Sequence, residues 1–326
     1  MGMREYLLKR AASTLVTFAL IVVLNFFIFR IMPGDPARAV IGDVRMKPEM
    51  REILIKKFGL DQPIWTQFAL YLVNLAKGDL GYSFQYPGTP VLDLILGRRM
   101  VNTFLLMGTS IGVSLVIGIV LGTVAAWRRG SKLDVGILTF SLVTYSIPTF
   151  WMGIMIILIL GFYGGAIPLG GTITPGVEYS SWIDYWSDYL HHMVGPTITL
   201  VLSFLGYYFL IMRNSLLDVF TEDYMLTARA KGLRDRTILF RHALRNAMLP
   251  MISVIALEVV YLFSGATATE TVFSWHGLGL LIYESVLRAD LPVLQGLFLF
   301  ISISVLIANF LADVTYAIVD PRIRYG

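Results

Sequence analysis

Long apolar runs alternate with short polar segments over most of this chain, and that alternation predicts its elements. Residues 11–29 form 19 consecutive uncharged positions, close to the roughly 20 that a helix needs to cross a bilayer. Comparable runs follow at 100–126, 135–163, 193–212, 249–269 and 294–318. The pattern predicts an all-α membrane protein with six transmembrane helices. The first run exceeds the roughly 7–15 apolar residues of a signal-peptide core, and the Met32-Pro33-Gly34-Asp35 that follows is a poor cleavage site, so a retained span is expected. The second carries Gly108, Gly112, Ser114, Gly118 and Gly122. Such small residues let helices approach closely in lipid, which places this span inside the bundle. The third is interrupted at Ser146-Ile147-Pro148-Thr149, where proline frees a carbonyl and kinks the helix.

The polar segments carry patterns of their own. Residues 33–97 form a long segment with two amphipathic stretches, Pro48–Phe58 and Pro63–Lys77, the second with Asp61 as its expected N-cap. It reads as a cap over the membrane domain, as a contact for a partner, or as both. In Gly164–Met193, Tyr179, Trp182, Trp186 and Tyr189 recur at helical spacing without any Lys or Arg. This suits an aromatic belt on a helix lying at the outer surface, with a sugar-stacking platform as the sharper alternative. The polar stretch Asp223–Pro250 is flanked by an uncharged run, Tyr189–Met212, and by Asn246–Thr269, whose single charge is Glu258. Ala230-Lys231-Gly232 breaks it into a helix, a turn and a second helix. In the second helix Leu233, Phe240, Leu244, Ala247 and Met248 share one face, with Arg234, Arg241 and Arg245 largely off it.

Composition agrees with a membrane setting. Of 326 residues, 56% are hydrophobic and only 15% charged, against about 25% charged in globular domains. The absence of cysteine rules out disulfides, thiolate metal sites and thiol nucleophiles. No P-loop, HExxH or GxSxG pattern occurs, and the adjacent His191 and His192 point to different helix faces. The net charge of +4 is modest and reads as orientation rather than nucleic-acid binding. Lys and Arg number 3 in residues 1–10, 3 in 127–134, 7 in 213–246 and 2 in 319–326, against none in 164–193 and 1 in 267–293. The long 33–97 region is a poor reporter, so the short-loop bias decides, and it places both termini in the cytoplasm. Four regions follow: residues 1–32 (tail and first span), 33–97 (extracytoplasmic segment), 98–318 (five-helix core) and 319–326 (cytoplasmic tail).

Several motifs converge on one family. DYMLTARAKGL and RHALRNAMLP within Asp223–Pro250 resemble the cytoplasmic loop of ABC importer permeases, in particular those of the dipeptide/oligopeptide family. PGDPA at Pro33–Ala37, FGLDQPIWTQF with GDLGYSF between Phe58 and Phe84, ETVFSWHGLG at Glu270–Gly279 and DPRIR at Asp320–Arg324 are similar to the same family. Two positions depart from it. The Glu expected six residues before Gly232 is Leu226, and His276 stands where the family has proline, a change expected to loosen that turn.

The resemblance implies a six-helix permease of the type I importer kind in a bacterial or archaeal cell membrane. It implies a homologous second permease, two ATP-binding subunits and an extracytoplasmic substrate-binding protein as partners, beside the lipid bilayer. ATP and Mg would reside on those partners, with no cofactor and no catalysis in this chain. The resemblance places the ATPase-docking loop at Asp223, Tyr224, Met225, Leu226, Thr227, Ala228, Arg229, Ala230, Lys231 and Gly232. Peptide is the implied cargo, with oligosaccharide as an alternative and nickel disfavoured by the lack of a His or Met cluster. A stand-alone ion-coupled secondary transporter is the reading from another class. It normally brings internal repeats and several buried charges, whereas this chain shows one strong intramembrane charge, Glu258. A carboxylate there costs roughly 2.5–3.5 kcal/mol on insertion scales, so it must face the bundle interior, water or a partner. Ser146, Pro148 and Glu258 are the candidate pathway residues, and Glu258 reads equally as a hydrogen-bonded structural carboxyl.

Overall fold

The computed structural model describes residues 3–31 and 61–319, together with Glu49 and Glu52. Of the predicted helix Pro48–Phe58 only Glu49 and Glu52 are described, both helical, and the PGDPA and DPRIR motifs lie outside the described residues. Among the described residues the regular structure is helical: α1 (Met3–Ile31), α2 (Ile64–Ala76), α3 (Val91–Leu96), α4 (Arg98–Trp127), α5 (Lys132–Ser146), α6 (Thr149–Ile156), α7 (Trp182–Phe220), α8 (Asp223–Ala230), α9 (Leu244–Ser264), α10 (Thr267–Val272), α11 (Leu278–Leu287) and α12 (Leu291–Val319). The wider π-turns Ile157–Tyr163 and Ile238–Ala243 extend α6 and lead into α9. An isolated bridge between Tyr82 and Pro90 is the described β pairing.

Four stretches are long and apolar enough to cross a membrane: Glu5–Arg30, Val91–Trp127, Trp182–Phe220 and Leu291–Leu311. The predicted third span is a bent pair, Lys132–Ser146 and Thr149–Tyr163, turning by 102°. Pro148 precedes the first residue of α6 and leaves the break its extended backbone, φ −57° and ψ 130°. The predicted fifth span corresponds to α9, which stops at Ser264 because Gly265 takes φ +71°. Thr267–Val272 then forms a separate short helix.

Two expectations need correction. The aromatic stretch before Met193 is not a separate surface helix. Trp182–Phe220 is one 39-residue helix, about 58 Å long at 1.5 Å per residue, whose first turns carry Trp182, Trp186 and Tyr189, with Tyr179 in the preceding loop. Asp61 does not cap α2. Pro63 occupies that position with no side-chain cap, its fixed φ suiting the helix start instead.

The chain forms two compact units. The first comprises Met1–Val101 and Gly277–Gly326. In it α1 packs along α12, with Phe29 against Phe298 and Arg10 donating to Asp313 at 2.6 Å. The buried Asp290 carboxylate accepts from the Ser83 hydroxyl (2.5 Å) and the Gln85 amide (3.0 Å), which pins the 81–90 loop to the start of α12.

The second unit, Asn102–His276, is built around α7. Close approach is made by glycine. A Cβ on Gly118 would lie 2.7 Å from the Tyr208 Cβ, and one on Gly122 would lie 2.8 Å from the Met212 Cβ. The predicted inward role of this glycine series holds for these two positions, whereas Gly112 has nothing within 4 Å. Gly118→Leu is expected to lower stability by roughly 1–3 kcal/mol through overpacking, while Gly112→Leu stays near wild type. Thermal unfolding of the two variants in one detergent checks this, and equal midpoints would refute the assigned packing.

Candidate functional site

The polar stretch after α7 is fastened into the core of the second unit. Of α8, Met225 and Ala228 are buried at i and i+3, packed with Tyr208, Met212 and Leu216 of α7 and with Ile238, Leu239, Ala243, Ala247 and Met251. The rest of the helix faces outward: Asp223, Tyr224, Leu226, Thr227, Arg229 and Ala230 are exposed, as are Lys231 and Gly232 beyond it. Asn246 donates to the Tyr224 hydroxyl at 2.9 Å, which ties α8 to the root of α9.

Gly232 ends α8 at φ +68°. Its amide donates to the Arg229 carbonyl (2.9 Å), and the Leu233 amide reaches the Ala228 carbonyl (3.4 Å). This is the paired-bond helix end that glycine permits. A Cβ there would meet no atom within 4 Å. The demand for glycine is therefore conformational rather than steric.

The expected apolar face after Gly232 is different in detail. Leu233 and Phe240 are exposed, at 37% and 56%, and the buried series runs Leu239, Ala243, Ala247, Met251. The cause is the π-turn at Ile238–Ala243. Its wider winding rotates the register, so a continuous 3.6-residue wheel misassigns the residues ahead of it.

The three pathway candidates do not form one cluster. Ser146 and Pro148 are exposed at the elbow between α5 and α6, lining an apolar hollow with Leu142, Phe150 and Trp151. The Ser146 hydroxyl is turned back onto the Leu142 carbonyl at 2.7 Å. Glu258 lies outside that hollow, on α9, where its carboxylate accepts a hydrogen bond from the buried Tyr208 hydroxyl.

Polar groups that the sequence pattern did not single out are more deeply placed. Glu270 is fully buried and accepts from the Thr103 hydroxyl at 3.0 Å. Asn102 is a hub: its side-chain nitrogen donates to the His276 carbonyl (2.7 Å), its side-chain oxygen accepts from Tyr189 (3.0 Å) and its carbonyl accepts from the Trp275 indole (3.1 Å). The turn at His276 is held through its backbone carbonyl. Tyr189 is buried against Trp275 and Tyr185, whereas Trp182 and Trp186 of the same series are exposed. The Asp188 carboxylate, accepting from Tyr179 at 2.6 Å, holds that phenol above its ordinary pKa. The available signal for Glu270 was a lone acid between long uncharged stretches.

Comparison with known proteins decides the family. Residues 118–325 match the family described as binding-protein-dependent transport system inner membrane component, and residues 3–106 match its N-terminal domain. The chain belongs to this family.

Relatives in this family align end to end. The oligopeptide transport system permease protein AppB of Bacillus subtilis is 36% identical over 323 residues, covering 99% of this chain and 100% of its own. The dipeptide transport system permease protein DppB of Escherichia coli K12 is 34% identical over 339 residues, and the di/tripeptide transport system permease protein DppB of Pseudomonas aeruginosa is 33% identical over 348, each with 99% of both chains covered. The chain is a multi-pass inner-membrane permease component of an ABC importer, a class that works with an ATPase and a binding protein.

Proposed function

We propose that this chain is one of two homologous permeases in a peptide importer, with α8 as the helix through which two ATP-binding subunits drive it. The observation that carries the reading is the form of α8. Two buried anchors, Met225 and Ala228, root it in the core while its remaining surface is free, and Gly232 stops it sharply. A short helix held in this way passes a push from outside into α7 and α9 rather than bending under it. The exposed Tyr224 and Leu226 supply apolar contact area, and Asp223, Arg229 and Lys231 supply charge for register. The concentration of Lys and Arg in this loop supports a cytoplasmic placement, and with it cytoplasmic termini. ATP and Mg belong to the partners in this scheme. Peptide cargo follows from the relatives, which carry oligopeptide, dipeptide and di/tripeptide transport in their names.

The mechanism is alternating access. Closure of the ATP-binding subunits displaces α8, the packed α7 and α9 follow, and the elbow at Ser146–Pro148 is the bend about which the third span reorients. Ser146, Pro148 and Glu258 serve as pathway residues. Glu258, paired with Tyr208, offers a carboxylate to a peptide amine.

The chain purified in mild detergent is expected to bring a second permease and ATP-binding subunits with it, and uptake in proteoliposomes should cease when ATP binding is blocked. Uptake by the chain alone on an ion gradient would overturn the reading. Gly232→Val, with a β-branched side chain at positive φ, is expected to leave membrane insertion intact and lower uptake per ATP hydrolysed by about tenfold, within the usual range for coupling between sites. Unchanged uptake per ATP refutes the docking role. Glu258→Gln should raise the peptide concentration for half-maximal uptake by roughly 10–100-fold, the value of one charge-assisted hydrogen bond. Wild-type uptake would return Glu258 to a structural role.

A further inference from the structure

We infer that the Asp134–Arg213 ion pair is a positioning element of the transport cycle, the link that makes α5 follow α7 when α8 moves. The inference rests on the reading of α8 as the docking helix.

Asp134 lies in the first turn of α5 and is 3% exposed. Its amide donates to the capping Ser131 hydroxyl at 3.2 Å, and one carboxylate oxygen accepts from the Gly130 amide at 2.9 Å. Both oxygens are engaged by one guanidinium: Arg213 Nε donates to Oδ1 at 2.7 Å and an Nη to Oδ2 at 2.9 Å. Such a planar fork fixes distance and angle together, which a lysine or an apolar contact does not. Arg129 is the further charge near Asp134.

The pair sits where two functional parts meet. Arg213 follows Met212 and precedes Leu216 by one turn, and both of these residues are packed with Met225 and Ala228 of α8. From Asp134, α5 runs twelve residues, about 18 Å at helical rise, to the elbow at Ser146. A second contact fixes the same two helices nearer that elbow. A Cβ on Gly206 of α7 would lie 2.6 Å from the Ser141 carbonyl oxygen and from the Tyr145 Cβ. Clamped at both places, α5 and α7 move as one body, and the bend of 102° after Ser146 is the flexible point beyond them. Stability alone does not call for this chemistry, since a buried ion pair is often replaced by packed apolar residues at no loss. Defined geometry is what the fork adds.

The test uses the full complex in proteoliposomes, with a labelled pool of di- to hexapeptides and the cognate binding protein, reading import and ATP hydrolysis together. Asp134→Asn and Arg213→Lys, which keep size but lose charge or fork, are expected to assemble and to import about tenfold less peptide per ATP hydrolysed. The exchanged pair Asp134→Arg with Arg213→Asp should recover a measurable part of that ratio. An apolar pair, Asp134→Leu with Arg213→Met, should restore thermal stability without restoring the ratio. An unchanged ratio in both single variants, or a loss that merely tracks the amount of assembled complex, overturns the inference alone. A wild-type complex whose import does not depend on ATP overturns the docking reading and the inference with it.

Discussion

Hydrocarbon offers no partner to a polar group, and every feature of this protein answers to that constraint. Backbone amides and carbonyls must pair within the chain, so the spans are helices. Carboxylates taken into the helix packing are paired as well. Asp134 is met by Arg213, Glu270 by Thr103 and Glu258 by Tyr208. Each of these pairs joins two helices, so satisfying the polar group also sets which helices are neighbours.

With no hydrophobic drive between helices in lipid, shape decides how closely they pack. Gly118 and Gly122 admit α7 against α4 at distances that a side chain would forbid, and Gly206 does the same between α7 and α5. The long helix Trp182–Phe220 thereby becomes the common wall of its unit. It carries Tyr189 against Trp275 at one end and Met212 and Leu216 against α8 at the other. A helix held along its whole length transmits displacement with little loss.

Two breaks interrupt this stiffness, and both have a backbone cause. At Pro148 the missing amide and the extended residues around it open the third span. At Gly232 a positive φ ends α8 and sends the chain back towards α9. The π-turns at Ile157–Tyr163 and Ile238–Ala243 lie just beyond these two breaks. The segments expected to move are therefore bounded by the same residues that interrupt regular winding.

How much of this was legible without coordinates follows from the range of each effect. Hydropathy, the charge asymmetry of the short loops, the break at Pro148 and the turn at Gly232 are local properties of consecutive residues, and they determined the helical class, the membrane setting and the form of the loop after α7. The motifs determined the family. Pairings across tens or hundreds of positions were not legible: Asp134 with Arg213 spans 79 residues, Thr103 with Glu270 spans 167, and Asn102 with His276 spans 174. Which acid is buried, which of Gly112 and Gly118 meets another helix, and whether Phe240 points inward depend on the neighbouring helix and on a single extra residue of winding. Those were decided only when the helices packed, because burial belongs to the partner surface as much as to the residue.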